Sequence, residues 1–201
     1  MTKPKVVLFD LGKVLVDFDF AIAARRILAR SLRPPPKLQD LIQFSPVMCR
    51  LERGEITNQQ FYEEVRRATE YQGPYEEFAL AFADIFSAMP EMIQLHGRLR
   101  AAGYPTWIFS NTNDLAVAHI RRSFPFFSGF DGYFLSYQIG AMKPDAAIYE
   151  VAERTTGGRG AEILYVDDRA ENVEAAVKRG WQGIVHVSPA QTIALVERIA
   201  F

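Results

Sequence analysis

Apolar residues fall in two patterns along this chain, short solid runs and longer stretches with helical spacing. Val6-Val7-Leu8-Phe9 is a solid run, β-branched first and aromatic last, and it ends on Asp10. A run this short, with no alternation, predicts a strand covered on both faces. Further strands are predicted at 105–110, 131–136, 163–166 and 183–187. Helices are predicted between them at 91–102, 114–122, 145–155 and 170–179, and Pro189 opens a last one. Gly103 and Gly180 are placed as helix stops. Strand and helix in alternation imply crossover connections and a parallel sheet. The expected fold is α/β, a parallel sheet flanked by helices.

The stretch from about 18 to 88 breaks this rhythm and reads as helical throughout. A helix is predicted over 21–32, with Ile22, Ala24, Leu28 and Leu32 on one face and Pro34-Pro35-Pro36 as its stop. Segments 37–44 and 46–53 follow. Thr57 and Gln60 form a capping-box pattern ahead of an apolar face of Phe61, Val65 and Ala68. Gly73-Pro74 interrupts, and 75–88 carries Phe78, Phe82, Ile85 and Phe86 at packing intervals. The expected division is a core of 1–17 and 89–201 with a helical insertion at 18–88.

With 201 residues, the chain suffices for one domain with a small insertion. Hydrophobic residues are 49% and charged residues 23%, an ordinary globular balance. The net charge of −1 argues against a nucleic-acid footprint, so any anion must be attracted by local groups. Cys49 is the sole cysteine, which excludes an internal disulfide and fits a reducing cytosol. It is expected to pack among apolar neighbours. The first apolar run is too short for a signal peptide, and no uncharged stretch is long enough to span a membrane. A cytoplasmic protein without membrane or nucleic-acid partners is expected. The Phe-rich insertion could hide a homodimer surface. His96, His119 and His186 are scattered, share no metal-ligand spacing, and are assigned to packing or to the surface rather than to a ligand role. Gly157-Gly158-Arg159-Gly160 follows a helix and precedes a strand, the wrong order for a phosphate-cradling loop.

Three solid runs end in polar groups. Asp10 ends the first, Ser110-Asn111-Thr112-Asn113 the second, and Asp167-Asp168 the third, while Lys143-Pro144-Asp145 precedes a helix. Taken singly, each has a plain explanation. Asp10 could cap a loop, Lys143 could be a solvated surface lysine, and the aspartate pair could cap the helix at Ala170. Together they mark a site, because ligands of open α/β sheets bind outside the carboxyl ends of the strands.

These segments, with Asn172, resemble the four motifs of the haloacid dehalogenase-like (HAD) hydrolase superfamily in order and spacing, over essentially the whole chain. Within it, Phe9-Asp10-Leu11-Gly12, Glu52-Arg53-Gly54-Glu55-Ile56 and the stretch from Leu135-Ser136 to Lys143-Pro144 look most like the bacterial α-D-glucose-1-phosphate phosphatases. The resemblance implies a Rossmann-like core with a helical cap after the first strand. It implies Mg²⁺-dependent hydrolysis of a phosphomonoester through an aspartyl-phosphate, on a small phosphorylated metabolite such as glucose 1-phosphate. Asp10 would be the nucleophile, with Ser110, Asn111 and Lys143 on the phosphate. Asp10, Asp168 and the Gly12 carbonyl would hold the metal, with Asp167 behind them or bound through water. Asn172 would orient that loop. Glu52 and Glu55 would face substrate from the cap.

One position departs from the pattern. Most phosphatases of the superfamily carry a second aspartate, a general acid and base, where this chain has Gly12. General acid–base help is worth about 10²–10⁴-fold. A leaving group of low pKa could compensate, as could Glu52, Glu55 or water. Two rivals remain at this stage, a 2-haloacid dehalogenase and a catalytically weak binding or regulatory protein. The acidic pair Asp167-Asp168 favours a metal over dehalogenation. Retention of Asp10, Ser110, Lys143 and Asp168 favours catalysis over binding alone.

Overall fold

Burial decides where the fold is centred. β1 (Val6–Phe9) is buried at every residue. A tight loop leads to β2 (Val16–Phe18) and then to α1 (Phe20–Leu28), α2 (Leu38–Gln43), α3 (Pro46–Glu52), α4 (Asn58–Thr69) and α5 (Tyr75–Ala83). β3 (Phe86–Ala88) pairs antiparallel with β2. Strands and helices then alternate: α6 (Pro90–Ala101), β4 (Thr106–Ser110), α7 (Asp114–Ser123), β5 (Gly132–Leu135), α8 (Ser136–Ile139), α9 (Ala146–Thr156), β6 (Ile163–Asp167), α10 (Ala170–Lys178), β7 (Gln182–Val185) and α11 (Pro189–Ala200). This computed structural model describes residues 2–33, 38–43 and 45–201.

The five-stranded sheet has the order β5-β4-β1-β6-β7, and every pairing in it is parallel. The chain runs outward from β1 through β4 to β5, then crosses to β6 and β7 on the other side. The order therefore reverses around β1, and the carboxyl ends of β4, β1 and β6 meet where a ligand site is expected. This topology brings motifs more than 100 residues apart in sequence to neighbouring strand ends.

Alternation along β1 feeds two cores. Val7 and Phe9 pack with Met92, Leu95, Ile120 and Val196 on one face. Val6 and Leu8 pack with Ile148, Tyr149, Val173 and Trp181 on the other. Each fully buried side chain of this size contributes about 1.5–3 kcal/mol. A third cluster belongs to the helices between β2 and β3, where Ile27, Met48, Leu51, Val65 and Phe78 meet. The Phe61 and Phe82 rings pack edge to face there, with centroids 5.0 Å apart. Phe61, Phe78 and Phe82 are buried in this cluster.

Several elements differ from expectation. The helix expected over 75–88 stops at Ala83, because Phe86–Ala88 supplies backbone pairs to β2 instead. α1 ends at Leu28, and Leu32 is 71% exposed. The chain turns there to bond the end of α4, with the Arg33 amide donating to the Thr69 carbonyl at 3.0 Å. On α4 the buried position is Thr69 rather than Ala68, and the Thr69 hydroxyl is satisfied by the Val65 carbonyl at 2.9 Å. Cys49 is exposed, since Val47, Met48 and Leu51 take the buried side of α3. The Thr57–Gln60 capping box forms as expected. Pro34-Pro35-Pro36, Lys37 and Phe44 lie outside the described residues. No helix among the described residues is long and apolar enough to cross a membrane.

The inserted helices meet the sheet domain through few polar contacts. Arg53 pairs with Asp145 at 3.0 Å, and Asn58 donates to Asp114 at 2.9 Å. Between them Gly54 turns with φ +68°, and a Cβ there would lie 2.2 Å from the Tyr137 carbonyl oxygen. Gly157 has a similar φ of +70° but open space around it. Gly157→Ala should therefore cost only the left-handed penalty, about 1–2 kcal/mol. Gly54→Ala should cost measurably more by urea unfolding, because the added methyl must also push α8 away. Equal losses would show that Tyr137 does not confine this turn.

Candidate active site

Three strand ends and one lysine form the site. Asp10 leaves the end of β1 with its amide bonded to the Val166 carbonyl at 2.8 Å. Its Oδ1 accepts the Leu11 amide at 2.7 Å and faces Lys143 Nζ at 3.2 Å. Lys143 is only 3% exposed. Its Nζ donates to the Phe109 carbonyl at 2.7 Å and to Asp167 Oδ2 at 2.6 Å. It also lies 5.2 Å and 5.6 Å from the Phe109 and Tyr165 ring centroids. Neither a solvated lysine nor a mobile one fits this geometry. Its charge is fixed.

Asn111 has a second part in this. Its side-chain Nδ2 donates to the Lys143 carbonyl at 2.9 Å, and its Oδ1 accepts the Lys143 amide at 2.8 Å. The loop after β4 thereby clamps the backbone that carries the lysine. Ser110 is buried at the end of β4, where its hydroxyl donates to the Asn111 carbonyl at 3.4 Å and sits close enough to Asp10 to lower its pKa slightly.

Asp167 is fully buried and heavily engaged. It accepts from Lys143, from the Tyr165 hydroxyl, from the Arg169 amide at 2.8 Å and from Asn172 Nδ2 at 3.1 Å. Burial alone would raise its pKa, but the Lys143 charge and these donors hold it below the usual carboxylate range. Lys143, in turn, stays above its ordinary pKa despite burial, because Asp10 and Asp167 face it. Asp10 is the strained member. Burial pushes it up to about 7, against the pull of Lys143, and Asp167 and Asp168 push it further the same way. Asp168 is half-buried and also raised, by burial and then by Asp167.

This donor set fits a hard divalent cation. Asp10, Asp167 and Asp168 each bring a carboxylate oxygen within 4.8 Å of the others. Lys143 offsets only one of the three charges. Asn172 is 1% exposed, and its Oδ1 lacks a hydrogen-bond partner among the described residues. Crowded carboxylates with a bare buried oxygen beside them are what Mg²⁺, with its preference for oxygen ligands, would relieve. Asp10 and Asp168 are freer for that purpose than Asp167.

Two chambers open onto these groups. A polar one is lined by Asp10, Lys13, Gln43, Lys143, Asp168, Arg169 and Asn172. An apolar one is lined by Leu11, Met48, Phe82, Ile85, Phe86 and Ile120, among others. Gly12, Phe18, Phe20, Glu52, Ser110 and Asn111 border both. At Gly12 a Cβ would lie 2.7 Å from Phe18 Cε1, so the ring fills the space that a side chain would need. Lys13 fixes that ring. It adopts φ +57°, donates to the Phe18 carbonyl at 2.9 Å, pairs with Asp17 and lies 4.7 Å from the ring centroid. Glu52 ends α3 at the border, and burial raises it to about 7 against the charges of Arg169 and Lys143. Glu55, paired with Glu52 in the sequence expectation, stands exposed beyond the Gly54 turn and lines neither chamber. Of the two, Glu52 lines both chambers.

Sequence reasoning missed Tyr165 and Phe18. Tyr165 sits two residues before Asp167 and so on the same strand face. A buried tyrosine hydroxyl needs a partner, which was the available signal. Nothing local marks Phe18 as the neighbour of Gly12.

Comparison with known proteins agrees with this geometry. A haloacid dehalogenase-like hydrolase family model matches residues 4–180. The D-ribitol-5-phosphate phosphatase of Bacteroides thetaiotaomicron is 23% identical over 186 residues, 89% of each chain. The sesquiterpene phosphatase astK of Aspergillus oryzae is 26% identical over 90% of this chain and 88% of its own. Among solved structures, the HAD-family enzyme BT-2542 of Bacteroides thetaiotaomicron, in complex with magnesium and inorganic phosphate, shares the fold. Its TM-score is 0.81 at 22% identity, covering 90% of this chain and 93% of its own. With its family motifs gathered at one edge of a five-stranded parallel sheet, this chain belongs to the haloacid dehalogenase-like hydrolases.

Proposed function

We propose that this hydrolase is a Mg²⁺-dependent phosphomonoesterase that acts through an aspartyl-phosphate on Asp10. One observation carries the reading: Asp10 is held at a strand end beside a fixed lysine, with two further carboxylates within 4.8 Å. The phosphatases among its relatives support the same reaction class. A dehalogenase needs no such carboxylate cluster. A binding protein has no need of a nucleophile aimed this way.

In this reading an Asp10 oxygen attacks phosphorus, the bond to the leaving oxygen breaks, and that oxygen departs with the electron pair. Ser110 Oγ and the Asn111 amide donate to phosphate oxygens, and Lys143 stabilises them through its fixed charge. Water then attacks phosphorus, and Asp10 is released. Asp10, Asp168 and the Gly12 carbonyl would hold Mg²⁺, which would supply positive charge against the repulsion between carboxylate and phosphate. Asp167 holds Lys143 from behind, and Asn172 holds Asp167. Residues 1–17 and 89–201 form the catalytic core, and 18–88 form a cap over it. The substrate is a small phosphorylated metabolite. The motif resemblance favours a sugar phosphate such as glucose 1-phosphate.

Hydrolysis of p-nitrophenyl phosphate should require Mg²⁺ and stop with excess EDTA. Mg²⁺ alone should also raise the melting temperature, since it relieves the carboxylate crowding. Full turnover in EDTA would contradict the reading. Asp10→Asn should abolish steady-state turnover while leaving the melting temperature in EDTA at or above that of the wild type. The substitution removes a charge that burial disfavours. Turnover above contaminant level by purified Asp10→Asn would exclude Asp10 as nucleophile.

A further inference from the structure

The phosphatase reading leaves one step without a side chain, protonation of the leaving oxygen. The position that usually supplies the acid is Gly12, and the Phe18 ring occupies its side-chain space. An acid must therefore come from elsewhere, or the leaving group must depart as an anion.

The geometry limits the choice. Asp10, Ser110 and Lys143 all line the polar chamber, so in the phosphatase reading the phosphate would be held there. The leaving group then points away from Asp10, as in-line displacement requires. The residues shared by the polar and apolar chambers are the ones that could reach the bridging oxygen of a substrate whose leaving group extends into the apolar chamber. Six residues line both chambers: Gly12, Phe18, Phe20, Glu52, Ser110 and Asn111. Glu52 alone among them carries a group that exchanges protons near neutral pH. Among the described residues it makes no side-chain hydrogen bond or ion pair that would commit it elsewhere.

We propose that Glu52 is the catalytic acid and base of this reaction, replacing from α3 the carboxyl that Gly12 cannot carry. The inference rests on the phosphatase reading above. In the first step, as the P–O bond breaks and its electron pair passes to the leaving oxygen, the Glu52 proton transfers to that oxygen and an alcohol departs. In the second, water attacks the phosphorus of the aspartyl-phosphate. Its proton passes to the Glu52 carboxylate, the Asp10–phosphorus bond breaks, and inorganic phosphate leaves. Glu52 is again protonated and Asp10 again ionised.

The surroundings suit the role. Glu52 is the last residue of α3, where the helix dipole disfavours a negative charge. Burial raises its pKa to about 7, with Arg169 and Lys143 opposing. Lys13, Asp10 and Asp168 are the other charged groups of the polar chamber that it borders. On its other side Glu52 borders the chamber lined by Leu11, Met48, Phe82, Ile85, Phe86 and Ile120. A carboxyl that is half-protonated near neutral pH can both give and take a proton.

The test is a series of phosphate esters of graded leaving-group pKa, from p-nitrophenyl through phenyl to alkyl phosphates, with saturating Mg²⁺. kcat/KM is measured for wild type, Glu52→Gln and Glu52→Asp. Wild type should depend only shallowly on leaving-group pKa. Glu52→Gln should keep most of its kcat/KM on p-nitrophenyl phosphate, since forming the aspartyl-phosphate from that ester needs no proton, while its kcat falls because breakdown of the shared intermediate loses its base. It should lose about 10²–10⁴-fold on alkyl phosphates, the usual value of general acid catalysis. Glu52→Asp should recover part of that loss. An equal loss on every ester, or none on any, would overturn the role of Glu52 while leaving the phosphatase reading intact. Failure of the wild type to hydrolyse any ester would overturn both.

Discussion

The buried ion pair between Lys143 and Asp167, with Asp10 alongside, is the interaction that organises this molecule. Two charges placed at the edge of an apolar sheet are costly unless each is paired and every remaining donor and acceptor is used. The chain meets that demand in full. Phe109 offers a carbonyl, Tyr165 a hydroxyl, Arg169 an amide and Asn172 a side-chain amide. These partners come from β4, β6, the loop after β6 and α10. The pair cannot form unless the sheet order is right, and the sheet order places the site.

The same pair sets the character of Asp10. Asp167 takes the better share of Lys143, at 2.6 Å against 3.2 Å for Asp10. Asp10 is left undercompensated, its pKa raised by burial to about 7. A carboxylate in that state has much to gain from a cation and from reaction, and little to gain from staying as it is. A second displacement of function lies on the opposite wall of the chamber's border. Lys13 pins Phe18 and Phe18 fills the space beside Gly12, so in the proposed reaction the acid comes from the inserted helices. The proposed reaction is thus divided between two hydrophobic clusters that pack largely independently.

The strand ends were legible in the sequence because each is a solid apolar run stopped by a polar residue. The signal is local and needs no knowledge of neighbours. Asp10, Ser110, Lys143, Asp167, Asp168 and Asn172 were found this way or through the motifs they form, and the structure brings them together. Pairings made across the chain were not legible. Phe86–Ala88 reads as the end of a helix, and only β2 makes it a strand. Glu52 and Glu55 are equivalent in sequence, and only the turn at Gly54 separates the one that borders the chambers from the one in solvent. Lys143 reads in isolation as a solvated surface lysine, because its three acceptors lie 24 to 133 residues away along the chain.

The account turns on whether Asp10, so held, carries the phosphoryl group during turnover. The most direct measurement is mass spectrometry of protein acid-quenched during steady-state hydrolysis of p-nitrophenyl phosphate with Mg²⁺, followed by peptide mapping. Phosphate on the peptide that contains Asp10, and none in a sample quenched without Mg²⁺, is the expected result. Sustained turnover with phosphate on another residue would contradict it.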